Sequence, residues 1–280
     1  MKGTRRFKVK RLKHIALLPT LVTLGNIVCG FAAIVLAARS MVDASKGLAH
    51  DASAHFQLAA WMVIVGMVFD ALDGRVARMT GSASKFGAEL DSLCDVVTFG
   101  IVPAFLAYVT MDACGGLVPR GVGIAICAVY AAAAAARLAR FNVETTLDEE
   151  SHMSFRGLPS PAAAGVVVSL VLLRANLADT RLADWVVIAL PFAVLAVGIA
   201  MITNLRYLHL VNKLLRGRHR FARLAEVVLV ALIVALHKEV ALALGFCGYA
   251  LSGPVLWLFR KPQAAQLTAV LEKKPSQAPE

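Results

Sequence analysis

Phe69 to Phe99 reads FDALDGRVARMTGSASKFGAELDSLCDVVTF, and the fold turns on what flanks it. One apolar run begins upstream near Phe56 and another begins near Leu90. Each is long enough for a membrane-spanning helix, which needs ~20 mostly apolar residues. At the join of the two stand four aspartates, Asp70, Asp73, Asp91 and Asp95. An ionisable group at membrane depth costs on the order of 2.5–3.5 kcal/mol and is read by default as functional. Four together need a positive partner.

Further apolar runs begin near Ile15, Val122, Ala162, Trp185, Ala222 and Val240, so the chain reads as an all-α integral membrane protein of about eight transmembrane helices. The last two lie almost end to end around His237, Lys238 and Glu239, as a helical pair or one broken hairpin. Hydrophobic residues make up 59% of the 280 and the mean hydropathy is +0.70, well above the ~45–50% apolar content of soluble domains. A water-soluble core is therefore excluded.

The net charge of +11 alternates along the chain, which is a mark of membrane topology and not of nucleic-acid binding. With eight spans and both ends inside, all but six of the 29 Lys and Arg fall on the cytoplasmic side, the six being Arg39, Lys46, Arg120, Arg174, Arg181 and Lys238. That places the protein in the cell (inner) membrane with the aspartates facing the cytoplasm. The expected organisation is a basic cytoplasmic segment over 1–14, a membrane core over 15–213, a C-terminal helical pair over 214–260 and a disordered cytoplasmic tail over 261–280. The apolar run from Ile15 to Ala38 is too long for the core of a cleaved signal. It reads as a first span behind a polybasic segment suited to anionic headgroups of the phospholipid bilayer. Cys29, Cys94, Cys114, Cys127 and Cys247 show no paired spacing and read as small packing residues.

Asp70 and Asp73 are three apart and Asp91 and Asp95 four apart, so each pair shares a helix face. The short connection between the two helices makes them expected antiparallel neighbours, which lets the four carboxylates converge. An all-oxygen donor set suits hard divalent ions, Mg²⁺ or Mn²⁺, and two facing pairs suit two such ions on phosphoryl oxygens. Gly74 and Gly87 leave room for a diphosphate near the backbone, Ala77 is small for the same reason, and Arg78 offers a planar fork to phosphate. Two other readings of these residues stand beside this one: ion pairs with Arg75, Arg78 and Lys85, and the paired acids of a proton- or ion-coupled transporter.

The order Asp70, two residues, Asp73-Gly74, two residues, Ala77-Arg78, eight residues, Gly87, three residues, Asp91, three residues, Asp95 resembles the full signature of the CDP-alcohol phosphotransferase family. The resemblance implies a six-helix membrane core and two divalent metal ions on the diphosphate of a CDP-linked lipid. It makes Asp70, Asp73 and Asp91 metal ligands and Asp95 both ligand and general base. It also places Gly74, Ala77, Arg78 and Gly87 on the donor, CDP-diacylglycerol, and suggests Thr23 and Asn26 of the first span for the nucleotide. Helix-to-helix hydrogen bonding is the other reading of Thr23 and Asn26.

Three segments outside the signature bear on the acceptor: Thr98-Phe99-Gly100 with Pro103 and Ala104, Arg137 to Asn142, and Phe155 to Pro161. They resemble the membrane-bound phosphatidylserine synthase branch of the family, a likeness that runs from Pro19 to about Lys213. The resemblance implies L-serine as acceptor, with Thr98, Phe99, Arg137, Arg140, Asn142, Gly157 and Pro159 about it, and a bidentate guanidinium is the physical match for serine's carboxylate. Positive-inside anchoring by Arg137 and Arg140, and a rigid turn at Gly157 to Pro161, are the structural alternatives. Sibling enzymes that use glycerol 3-phosphate or inositol phosphate are the alternative acceptor readings. The family resemblance also implies a homodimer, with Gly25 and Gly30 or Gly245 and Gly248 as close-packing surfaces.

Overall fold

The computed structural model describes residues 17–79, 85–113, 118–147, 157–178, 180–203, 205, 207 and 237–259, and the span expected from Ala222 lies outside them. All of its elements are helical: α1 (Leu17–Ser45), α2 (Ala49–Met79), α3 (Lys85–Asp95), a π-helical segment (Val96–Ile101), α4 (Val102–Ala113), α5 (Arg120–Leu147), α6 (Ser160–Asn176), α7 (Arg181–Ile202) and α8 (Lys238–Phe259). Among the described residues six stretches are long and apolar enough to cross a membrane: Pro19–Ser45, Ala49–Val76, Phe86–Ala113, Arg120–Val143, Arg181–Ile202 and Lys238–Trp257. The run expected from Ala162 forms α6, which is apolar but only 17 residues long.

α6 is the axis of the bundle. A helix that is hydrophobic all round must be buried, and the Ala-, Gly- and Val-rich α6 is enclosed along most of its length. One of its faces, Ala163, Val166 and Val167, joins a core with Tyr130, Ala133, Ala134, Leu190 and Val194 of α5 and α7. The other, Ala164, Val168, Val171 and Leu172, joins a second core with Ala33, Ala37, Val63 and Leu106 of α1, α2 and α4. The bundle's outside is apolar too. Leu21, Val28, Phe31, Trp185, Phe192 and Trp257 are all exposed, as expected where the solvent is lipid and backbone polar groups are satisfied within helices.

The hairpin of α1 and α2 is the most extensive helix pair. α3 also leans on α1, whereas α2 and α3 approach each other little along their length. The second and third helices thus face each other across a gap that α1 closes from one side, and their carboxylates converge there.

The π-helical turn directly after Asp95 has a local cause. Proline carries no N–H and its ring clashes with the carbonyl four residues back, so Pro103 cannot continue the ladder at Phe99 O. The register widens, with Val102 N–H donating to Val97 O, and the freed Phe99 O accepts from Tyr130 Oη at 2.9 Å. Such π turns occur often at functional sites.

Candidate active site

α2 presents Asp70 and Asp73 near its C-terminal end, and α3 presents Asp91 and Asp95. One carboxylate oxygen from each of Asp70, Asp91 and Asp95 lies within 4.8 Å of the others. Asp73, buried to 6% exposure, comes up against Thr23 and Asp91. Arg75 is exposed, and among the described residues no Lys or Arg forms an ion pair with any of the four aspartates.

Asp73 Oδ2 and Asp91 Oδ1 are buried without a hydrogen-bond partner. An unsatisfied buried polar group costs about 1–3 kcal/mol, more when charged, and like charges this close repel one another. A hard divalent cation among these oxygens answers both problems, and the donor set is all oxygen. The residues present therefore fit the metals that the signature implies. Around them, a Cβ built on Gly74 meets no protein atom within 4 Å, so internal packing does not demand glycine there and the space beside it is open. Gly87 sits on the first turns of α3. The side chains of Ala77 and Arg78 lie outside the described residues.

Asp95 is held by a small network. Asn26, with no exposed surface, donates from Nδ2 to Asp95 Oδ1 at 3.0 Å, and Thr98 Oγ1 donates to Asn26 O at 3.2 Å. Two glycines make room for this. A Cβ at Gly30 would sit 2.6 Å from Thr98 Oγ1, and one at Gly66 would sit 2.8 Å from Thr98 Cγ2 and 3.2 Å from Asn26 Oδ1. Thr98 and Phe99 are themselves fully enclosed and offer no surface to a ligand. Thr23 donates to Pro19 O at 3.1 Å and, like Asn26, faces the carboxylates.

On the far side, Arg137 of α5 lies in the electrostatic reach of Asp95 and Tyr249. Its Nη1 donates to Ser160 Oγ at 2.8 Å, while its Nε is buried without a partner. Ser160 is placed by the run before it. Gly157 has φ +87, and a Cβ there would lie 2.6 Å from Met201 O and 3.0 Å from Thr203 O, so only glycine fits. Gly157 N–H donates to Leu205 O at 2.9 Å and Leu158 N–H to Ala200 O at 3.1 Å, which docks the run on the end of α7. Pro159 is then the N-cap of α6, followed by Pro161 at a position where a missing N–H costs nothing.

Arg140 is half-buried on the same helix as Arg137. Asn142 turns to α3, with its Nδ2 3.0 Å from Ser92 Oγ and 3.4 Å from Glu89 Oε2. That contact ties α5 to the helix bearing Asp91 and Asp95. One residue that touches the site was not singled out from sequence: Ser160, whose only signal is a hydroxyl between two prolines at a helix start.

A family model described as CDP-alcohol phosphatidyltransferase matches residues 16–258. The chain is 35% identical over 210 residues to a CDP-diacylglycerol–serine O-phosphatidyltransferase of Helicobacter pylori (strain ATCC 700392 / 26695), covering 75% of this chain and 84% of that protein. A protein of the same description from Helicobacter pylori (strain J99 / ATCC 700824) is 40% identical over 158 residues, covering 56% of this chain and 63% of that protein. Another, from Methanocaldococcus jannaschii, is 30% identical over 204 residues, with 72% and 79% covered.

Proposed function

The chain belongs to the CDP-alcohol phosphatidyltransferase family, and from that premise we propose that it transfers the phosphatidyl group of CDP-diacylglycerol to the hydroxyl of L-serine, giving phosphatidylserine and CMP. The observation that carries the chemistry is the convergence of Asp70, Asp91 and Asp95 within 4.8 Å beside two buried carboxylate oxygens with no protein partner. Serine is supported by the names of the relatives and by Arg137, a guanidinium with an unpartnered Nε near Asp95.

Asp70, Asp73, Asp91 and Asp95 would hold two divalent ions, Mg²⁺ or Mn²⁺. When bound, such ions neutralise charge on phosphoryl oxygens. The chain's own residues do the rest. Asn26 fixes one oxygen of Asp95, leaving the other to take the proton from the serine hydroxyl. The serine oxygen forms its bond to the phosphorus bearing the diacylglycerol. The bond from that phosphorus to the bridging oxygen breaks, and CMP departs with the electron pair. Arg137, held by Ser160, receives the serine carboxylate, and the guanidinium of Arg140 stands one helical turn away. Among the described residues no Ser, Cys or His is paired with a base beside the aspartates, which favours direct transfer over a phosphatidyl-enzyme.

The same proposal places the reaction at the cytoplasmic face of the cell membrane, with the lipid donor entering from the bilayer, and makes the protein a homodimer. Of the glycines considered for that contact, Gly25 lies under the Phe69 ring and Gly30 under Thr98, while Gly245 and Gly248 on α8 face open space.

The test is CMP release by purified protein given CDP-diacylglycerol and a divalent metal, with serine, glycerol 3-phosphate or inositol phosphate in separate reactions. Release with serine alone, abolished by chelation and restored by Mg²⁺ or Mn²⁺, is expected. Release with another alcohol overturns the acceptor. No metal-dependent release with any of them returns the ion-coupled transporter to the front.

A further inference from the structure

At the other end of the α1–α2 hairpin lies a groove of about 460 Å³. Its α1 wall runs from Val35 and Ala38 through Arg39 and Val42 to Lys46, and Asp43 and His55 close it. At ~1.5 Å rise per residue, Arg39 and Lys46 stand ~20 Å and ~30 Å along α1 from Asn26, the residue that touches Asp95. The groove therefore opens at the membrane face opposite the carboxylates, and the transfer reaction does not use it.

Its chemistry is ordered along the helix. The apolar stretch Pro19–Ser45 is ~40 Å long as a helix, more than the ~30 Å of hydrocarbon, and Arg39 is its first charged residue, so the hydrocarbon ends near Ala38. Val35 and Ala38 thus lie at acyl-chain depth, and Arg39 and Lys46 lie at headgroup depth. All four are exposed. Asp43 lies between the two cations on the same helix, and its Oδ2 is engaged by His55 Nδ1 at 2.8 Å and not by either of them. Among the described residues neither Arg39 nor Lys46 has an ion-pair partner.

The groove is also built in advance. Ser40 Oγ donates to Ala52 O at 2.6 Å and staples the two helices beside it. The turn beyond Lys46 is fixed by Leu48 N–H to Asp43 O at 2.9 Å and Gly47 N–H to Ala44 O at 3.1 Å, the paired bonds of a Schellman cap.

We infer that this groove binds an anionic glycerophospholipid of the leaflet opposite the carboxylate cluster, with its phosphate between Arg39 and Lys46 and an acyl chain along Val35 and Ala38. Apolar contact alone would accept any lipid with the same chains. Two basic groups at headgroup level add a preference for negative charge, on the order of tenfold or more for the pair.

The full chain, purified in detergent, is offered dioleoylphosphatidylglycerol or dioleoylphosphatidylcholine, and retained lipid is counted by native mass spectrometry. The wild type is expected to retain the glycerol lipid about tenfold over the choline lipid. Arg39→Gln with Lys46→Gln is expected to lose that preference. Ala38→Trp, which fills the acyl channel and keeps both cations, is expected to lower retention of both lipids. Wild-type unfolding midpoints identify the variants as folded. Millimolar inorganic phosphate is expected to leave the lipid in place, and displacement by it would make this a free-phosphate site and overturn the assignment. Equal retention of the two lipids by the wild type, or an undiminished preference in the double variant, overturns the proposal outright.

Discussion

Replacing Asn26 by leucine preserves the volume of a fully enclosed side chain while deleting the amide that donates to Asp95 Oδ1 at 3.0 Å. The two roles open to Asn26 make opposite kinetic predictions. If it orients the base, the loss falls on kcat. A hydrogen bond to a charged group contributes about 1.5–3 kcal/mol, and at ~1.36 kcal/mol per decade kcat should fall between about tenfold and somewhat over a hundredfold. The Michaelis constant for CDP-diacylglycerol should stay within about twofold, since in this role Asn26 acts on the base and not on the bound donor, so kcat and kcat/KM fall together. Global stability should change little. Leucine removes the unpartnered buried acceptor Asn26 Oδ1 while leaving Asp95 Oδ1 without its donor, two costs of opposite sign and similar size, and the backbone bond from Thr98 to Asn26 O does not depend on the side chain. The assay is initial-rate CMP release with each substrate varied at saturating levels of the other, beside thermal unfolding in detergent. An unchanged kcat with a raised donor KM would refute the orienting role and put Asn26 on the nucleotide.

Asp95→Asn should abolish turnover while equilibrium binding of CDP-diacylglycerol in the presence of metal is largely kept, and substantial residual CMP release would reject Asp95 as the base. Ser160→Ala removes the hydroxyl bonded to Arg137 Nη1 and should raise the KM for serine about tenfold with a smaller change in kcat; an unaltered KM would move the carboxylate contact away from Arg137. Gly157→Ala forces a Cβ to 2.6 Å from Met201 O at φ +87, which at about 1–3 kcal/mol of strain should lower the unfolding midpoint by several degrees. A wild-type midpoint would mean that the loop can refold around the methyl group.

Local signals carried the helical membrane architecture. A span is a run of consecutive apolar residues, and the spacing of Asp70 with Asp73 and of Asp91 with Asp95 is fixed by helix geometry alone. What covers each face is a different kind of information. Apolar content shows that a face is buried without naming its neighbour, so the short connection between α2 and α3 brings the two pairs together without showing that α1 serves both helices. The same blindness applies to Asn26, whose partner is 69 residues away, and to Ser160, whose partner Arg137 stands 23 residues before it.

The residues after Asp95 show how a local signal acquires meaning only through a distant one. Pro103 in an apolar run announces that Phe99 O will lose its helical donor, and this is legible in sequence. That Tyr130, 31 residues on, supplies the replacement is not. Once it does, the chain from Val96 to Ile101 can hold its π register while Thr98, Phe99 and Gly100 stay buried. Thr98 then bonds to the backbone of Asn26, whose side chain bonds to Asp95. Thr98 and Phe99, which the family resemblance suggested as contacts for the acceptor, are enclosed, and Thr98 is linked to Asp95 through Asn26. Their substitution should therefore be read first in kcat and only then in the Michaelis constant for serine.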